Sequence, residues 1–143
     1  MRIKYDQFNK GNWYYHSSSP NYINYNGVYL YFLKPITGNA TNLRLVIQYA
    51  AEDWIFWNYC IFNINNKAIT YTPNKVDRDS ETTIWEWSDE NIEDNKELLS
   101  AIENANNASI RFVGQYTKDK DITEETLAMR KVLELYKEFG GQI

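Results

Sequence analysis

The chain has one cysteine, one histidine, three prolines and six glycines among 143 residues. With Cys60 alone, no intramolecular disulfide can form and no zinc site can rest on clustered thiolates. Cys60 stands in the most apolar stretch of the chain and reads as a small buried hydrophobe. With His16 alone, there is little to carry acid–base or metal chemistry near neutral pH. His16 precedes Ser17, Ser18 and Ser19, but neighbours in an extended segment point apart, so no Ser–His pair is expected, and G-x-S-x-G is absent. The glycine patterns that cradle phosphates are also missing. No apolar run reaches about 18 residues, so no membrane-inserted helix is expected. The start, MRIKYDQFNK, lacks the apolar core of a signal peptide, which suggests a cytoplasmic protein or the mature part of an exported one. Basic residues are outnumbered, and the formal net charge of −4 argues against a nucleic-acid partner and against an anionic membrane surface. The expectation from these absences is a protein with no cofactor, no metal and no catalytic constellation.

Aromatic residues, by contrast, are plentiful: 16% of the chain, with twelve Tyr and five Trp. Each buries about 150–250 Å² when packed, enough to build a large core. The length suits one domain over 1–143, able to bury roughly 68–70% of its unfolded surface. The stretch Trp54 to Asn65 is apolar at both odd and even positions, which predicts a strand covered on both faces, with Trp57 or Phe56 in the core. Shorter strands are expected at Ile3–Phe8, Trp13–His16, Val28–Leu33, Leu43–Tyr49, Ala68–Thr72, Thr82–Trp87 and Ile110–Val113. Asn65-Asn66 suits a tight hairpin, and Pro73–Ser80 reads as a polar loop. Asp94 with Glu97 opens a helix over Asn95–Ala105. Thr123 caps a second helix, with an apolar stripe of Ala128, Val132, Leu135, Tyr136 and Phe139 and a stop at Gly140. This order predicts an α+β fold: mainly antiparallel strands in a sandwich or strongly bent sheet, with two helices in the C-terminal third packed on it.

Several of these features occur together elsewhere. The Tyr5-Asp6-Gln7-Phe8 opening, Asp53-Trp54 before a strand, a helix ending at Ala105, the strand Ile110–Gly114 and an Ile-Thr-Glu-Glu final helix resemble a loose family of small uncharacterised bacterial domains. The resemblance implies an architecture and assigns no site.

Asp77, Asp79 and Glu81 alternate like calcium ligands but lack the glycine of an EF-hand loop, and read as a solvated acidic loop. Glu86 and Glu90, beside Trp85 and Trp87, could serve a glycosidase if their carboxyls lay about 5–9 Å apart. Arg111, flanked by Ile110 and Phe112, either pairs with a carboxylate or meets an anionic ligand. Trp13, Tyr14, Tyr22 and Tyr25 lie in turn-rich sequence, where they either roof the core or form a binding face. The functional expectation is a non-catalytic binding or interaction domain for a protein or glycan. The alternative is a carbohydrate-binding module using those Trp and Tyr rings, and the least favoured reading is a glycosidase-like enzyme.

Overall fold

The computed structural model describes residues 1–143. The strands are β1 (Arg2–Asp6), β2 (Gly11–Tyr15), β3 (Gly27–Pro35), β4 (Thr41–Ala51), β5 (Tyr59–Ile64), β6 (Lys67–Tyr71), β7 (Asp77–Ser80), β8 (Ile84–Asn91), β9 (Ala108–Val113) and β10 (Thr117–Asp121). The helices are α1 (Lys96–Glu103) and α2 (Thr123–Glu138). The strands form two antiparallel sheets, a six-stranded one in the order β1-β2-β3-β4-β8-β7 and a four-stranded one in the order β10-β9-β5-β6. The α+β class expected from the sequence is the class observed.

Alternation explains which faces meet. Leu30 and Phe32 on β3 and Leu43, Leu45 and Ile47 on β4 are fully buried, and share one core with Cys60 and Phe62 on β5 and with Phe112 on β9. The four-stranded sheet covers one part of this face, with Tyr49 of β4 against Phe112 at 5.2 Å between ring centroids. Helix α2 covers another part, its Tyr136 standing edge-on to Phe32 at 5.4 Å. The C-terminal helix therefore docks on the sheet, as its amphipathic pattern requires of a helix too short to hold alone.

Three local expectations are corrected. First, the two-sided apolar stretch is not one strand. Residues 54–58 form an irregular arch, and the regular strand begins at Tyr59. Ile55 and Trp57 are buried in the arch, whereas Cys60, Phe62 and Ile64 are buried in β5. The inward phase thus switches from odd to even positions, and two one-sided segments of opposite phase imitate one segment covered on both sides. Phe56 is 40% exposed while Trp57 is fully buried. Second, the helix caps differ. Asn95, not Asp94, caps α1 by accepting from the Leu98 N–H at 3.2 Å. Thr123 lies inside α2, and its hydroxyl oxygen instead accepts from the Ala108 N–H of β9. The buried stripe of α2 is Thr126, Met129, Val132, Leu133 and Tyr136, with Leu135 and Phe139 only at its flank. Third, the loop Pro73–Ser80 ends in the edge strand β7, and β10 forms another edge. Both are short and charged, so hydrophobic alternation does not announce them.

The hairpin at Asn65 and Asn66 has φ of 52° and 65°, the left-handed pair of a type I′ turn. Gly140, with φ of 87°, ends α2.

Candidate functional site

At one end of the molecule the chain leaves β4 and crosses to β5 through the arch. Glu86, on the inward face of β8, is completely buried beneath it. One carboxylate oxygen accepts from the Ile55 N–H at 3.0 Å, and the other from the Trp57 N–H at 3.0 Å. Arg78 of β7 donates through Nε to the same carboxylate at 2.9 Å and through a terminal nitrogen to the Trp57 carbonyl at 2.5 Å. A buried charge must be paired, and this one is satisfied by two backbone donors and a guanidinium.

Phe56 lies between the two clamped amides. Its φ is 53°, left-handed backbone that a bulky side chain rarely adopts. Such a conformation costs about 1–3 kcal/mol and persists only where the surroundings over-determine it. Here Glu86 fixes both flanking N–H groups, and the Gln115 N–H donates to the Ile55 carbonyl at 2.9 Å. Gly114 packs directly beneath, where any Cβ would collide with the carbonyl oxygens of Ile55 and Phe56. The strain aims the Phe56 ring outward, stacked on Trp54 at 5.5 Å and 15°. Arg78 stands over the same ring at 5.9 Å.

Trp54 and Phe56 line a cleft of about 780 Å³ with Tyr49, Glu52, Asp53 and the turn of residues 115–118 that leads into β10. Burial first, then the neighbouring Glu86 and Asp53 charges, raise the Tyr49 phenol above its usual range. Tyr116 is largely exposed. The rim carries Glu52, Asp53, Gln115, Thr117 and Lys118. The protein's ion pairs leave the rim groups out, joining Arg44 to Asp89, Lys75 to Asp77, Arg78 to Glu86, Arg111 to Asp119 and Lys137 to Glu103. The rim groups are left facing solvent.

The residues singled out from the sequence do not assemble into one site. Trp13 and Tyr14 are neighbours on β2 and project to opposite faces of the sheet. Tyr14 stacks on Phe32 at 5.4 Å and meets Phe139, so it belongs to the core side. Trp13 lies on the outer face, with its indole N–H held by Asp6 at 2.9 Å. Tyr22 and Tyr25 are exposed on the loop between β2 and β3 and line a shallower hollow of about 330 Å³ with Ser18, Ser19 and Asn21. Arg111 is bound by two hydrogen bonds to Asp119 on the neighbouring strand, at 2.7 and 2.9 Å. Carboxylate pairing, one of its two expected roles, is therefore the one observed.

The acidic run on β8 is engaged along its length. Glu90 accepts from the Tyr71 hydroxyl at 2.9 Å and from the Asn74 N–H at 2.7 Å, pinning the chain after β6. Glu86 and Glu90 are four residues apart on one strand, which sets their Cα atoms about 13 Å apart at ~3.3 Å per residue, and their carboxylates are held by different partners. His16 departs from expectation in the other direction. Its segment turns rather than extends, so Nδ1 accepts from the Ser18 N–H at 3.1 Å and lies 2.7 Å from the Ser18 hydroxyl. The pair closes a turn, and no carboxylate among the hydrogen bonds orients the ring. Desolvation, then the Lys131 and N-terminal charges, lower the His16 pKa.

Comparison with known proteins finds no matching family model, no matching curated protein and no matching solved structure. The sequence signal for the arch was present in Asp53-Trp54 and in the apolar run that follows, but it read as core.

Proposed function

We propose that the protein is a non-catalytic binding or interaction domain, and that it binds its partner in the cleft beneath the arch. Phe56 is the observation that carries this reading. A large apolar ring is held outward, 40% exposed, by an unfavourable left-handed backbone above a fully buried carboxylate. Strain of this kind concentrates where a protein presents a group to something else. The cleft has the size of ordinary ligand pockets, about 300–1,000 Å³, and combines aromatic walls with convergent polar groups. The full engagement of Glu86 and Glu90 by protein donors supports a non-catalytic role.

A fragment screen followed by amide resonances tests the proposal. Hits are expected to cluster on residues 51–56 and 115–118 and to vanish in Trp54→Ala. Hits that scatter, or that gather on the outer face around Trp13, would overturn the assignment of the cleft.

A further inference from the structure

We infer that the cleft takes a neutral, hydroxyl-rich ligand, an oligosaccharide, an inference that rests on the binding role just proposed. The rim offers acceptors of negative charge, Glu52 and Asp53, and a positively charged donor, Lys118, with the amide and hydroxyl groups of Gln115 and Thr117 able to serve either way. A cationic ligand would bring its charge against Lys118, and an anionic one against Glu52 and Asp53. A purely apolar ligand would strip water from all three and leave them unpaired, the costliest outcome for a polar group. A sugar hydroxyl both donates and accepts, so a saccharide can satisfy both kinds of rim group at once.

The walls fit the same class. Trp54 and Phe56, near-parallel at 15° and with centroids 5.5 Å apart, form an offset apolar step. With Trp54 on one face of Phe56 and Arg78 over the ring, the apolar surface left for the C–H face of a pyranose is the Phe56 edge and the Trp54 indole. Arg78 stands over Phe56 and Trp54 stacks on it, so the rings are not arranged as a cage around a cation. The space of about 780 Å³ is large enough for more than one sugar ring. The clamp on Ile55 and Trp57 holds the step in place before any ligand arrives, which lowers the ordering cost of binding.

The hollow near Tyr22 and Tyr25 is the competing location, and a single titration separates the two. Cellotriose, maltotriose and N,N′-diacetylchitobiose are titrated into the whole protein while amide resonances are followed, with trilysine and triglutamate as charged controls. At least one saccharide is expected to move residues 51–56 and 115–118. Trp54→Ala should weaken that response by roughly tenfold or more, Trp54→Phe should restore part of it, and Tyr22→Ala should leave it unchanged. A cleft that responds to a charged peptide and to no saccharide would overturn the ligand class while leaving the binding role standing. Saccharide shifts confined to residues 18–26 would overturn the location. No response at the cleft from any probe would also overturn the inference, and the fragment screen would then decide separately whether the cleft binds at all.

Discussion

Two of the aromatic groups near the surface of this protein differ in what their neighbours already supply. On the outer face of the larger sheet, Trp13, Tyr15, Tyr29 and Tyr31 pack against one another. Tyr15 stacks on Tyr31 at 4.7 Å and 9°, Trp13 leans on Tyr31 at 5.3 Å, and Arg2 covers Tyr15 at 5.0 Å. The polar atoms there are answered too: the Tyr31 hydroxyl donates to Asp89 at 2.7 Å, and Arg44 donates to the same carboxylate at 2.7 Å. Burial and then the Asp89 contact push the Tyr31 phenol far above its usual range. At the arch the Phe56 ring is also covered, by Trp54 and Arg78, and the difference lies in the polar groups. The backbone is satisfied by a buried carboxylate, while the Phe56 ring and the rim groups of the cleft face outward. The two regions therefore differ in whether their polar groups are already answered, and not in how many aromatic residues they hold.

The comparison can be broken most forcefully at its anchor. Glu86→Ala leaves two backbone N–H groups and Arg78 without their acceptor, and the loss of one partner from a buried charged network is expected to cost about 3–5 kcal/mol in urea melts. A cost under about 1 kcal/mol would mean that the clamp does not hold the arch. Gly114→Ala pushes a methyl into the arch carbonyls and should cost about 1–3 kcal/mol while shifting the amides of Ile55 and Phe56. Tyr31→Phe removes one charge-assisted hydrogen bond from the outer row. Its expected cost is about 1 kcal/mol, with ligand response at the cleft unaltered. If that substitution weakens cleft binding, the two regions are not independent.

The smallest effect concerns the turn after β1, where Asp6 accepts from Asn9, Trp13 and the Phe8 N–H. The Asn9 and Trp13 side-chain hydrogen bonds hold its pKa down, from 3.8 to about 2. A folded-state pKa below the unfolded one means that its stabilising contribution is present above 3.8 and is lost as the pH falls through about 2. Asp6→Asn should remove that part of the acid dependence and leave the cleft unchanged. An acid transition unaltered by the substitution would contradict the assignment.

Much of the fold was legible in the sequence because alternation and turn chemistry act locally. Val28–Leu33 and Leu43–Tyr49 fall inside β3 and β4, and Asn65-Asn66 makes the hairpin it suggests. The arch was not legible. Its apolar residues continue into β5 without a break in composition, and only the change of inward phase between Trp57 and Cys60 separates the two. Nor does sequence reveal that Glu86, thirty residues beyond Phe56, supplies the acceptors that make the left-handed turn possible. The candidate residues fail to assemble into one site for a related reason. Trp13, Tyr14, Tyr22 and Tyr25 lie in turn-rich sequence, but chain proximity does not set the sheet face, and Tyr14 turned into the core.

The central claim is that Phe56 is placed for a partner and not for the fold, and Phe56→Gly tests it directly. Glycine relieves a left-handed cost of about 1–2 kcal/mol, offset by about 0.5–1 kcal/mol of extra freedom in the unfolded chain. The lost contacts with Trp54 and Arg78 take back part of that gain, so stability in denaturant melts should stay within about 1 kcal/mol of the parent, while ligand response at the cleft is lost. A variant destabilised by more than about 1 kcal/mol, or one that binds as the parent does, would show that the ring serves the fold after all.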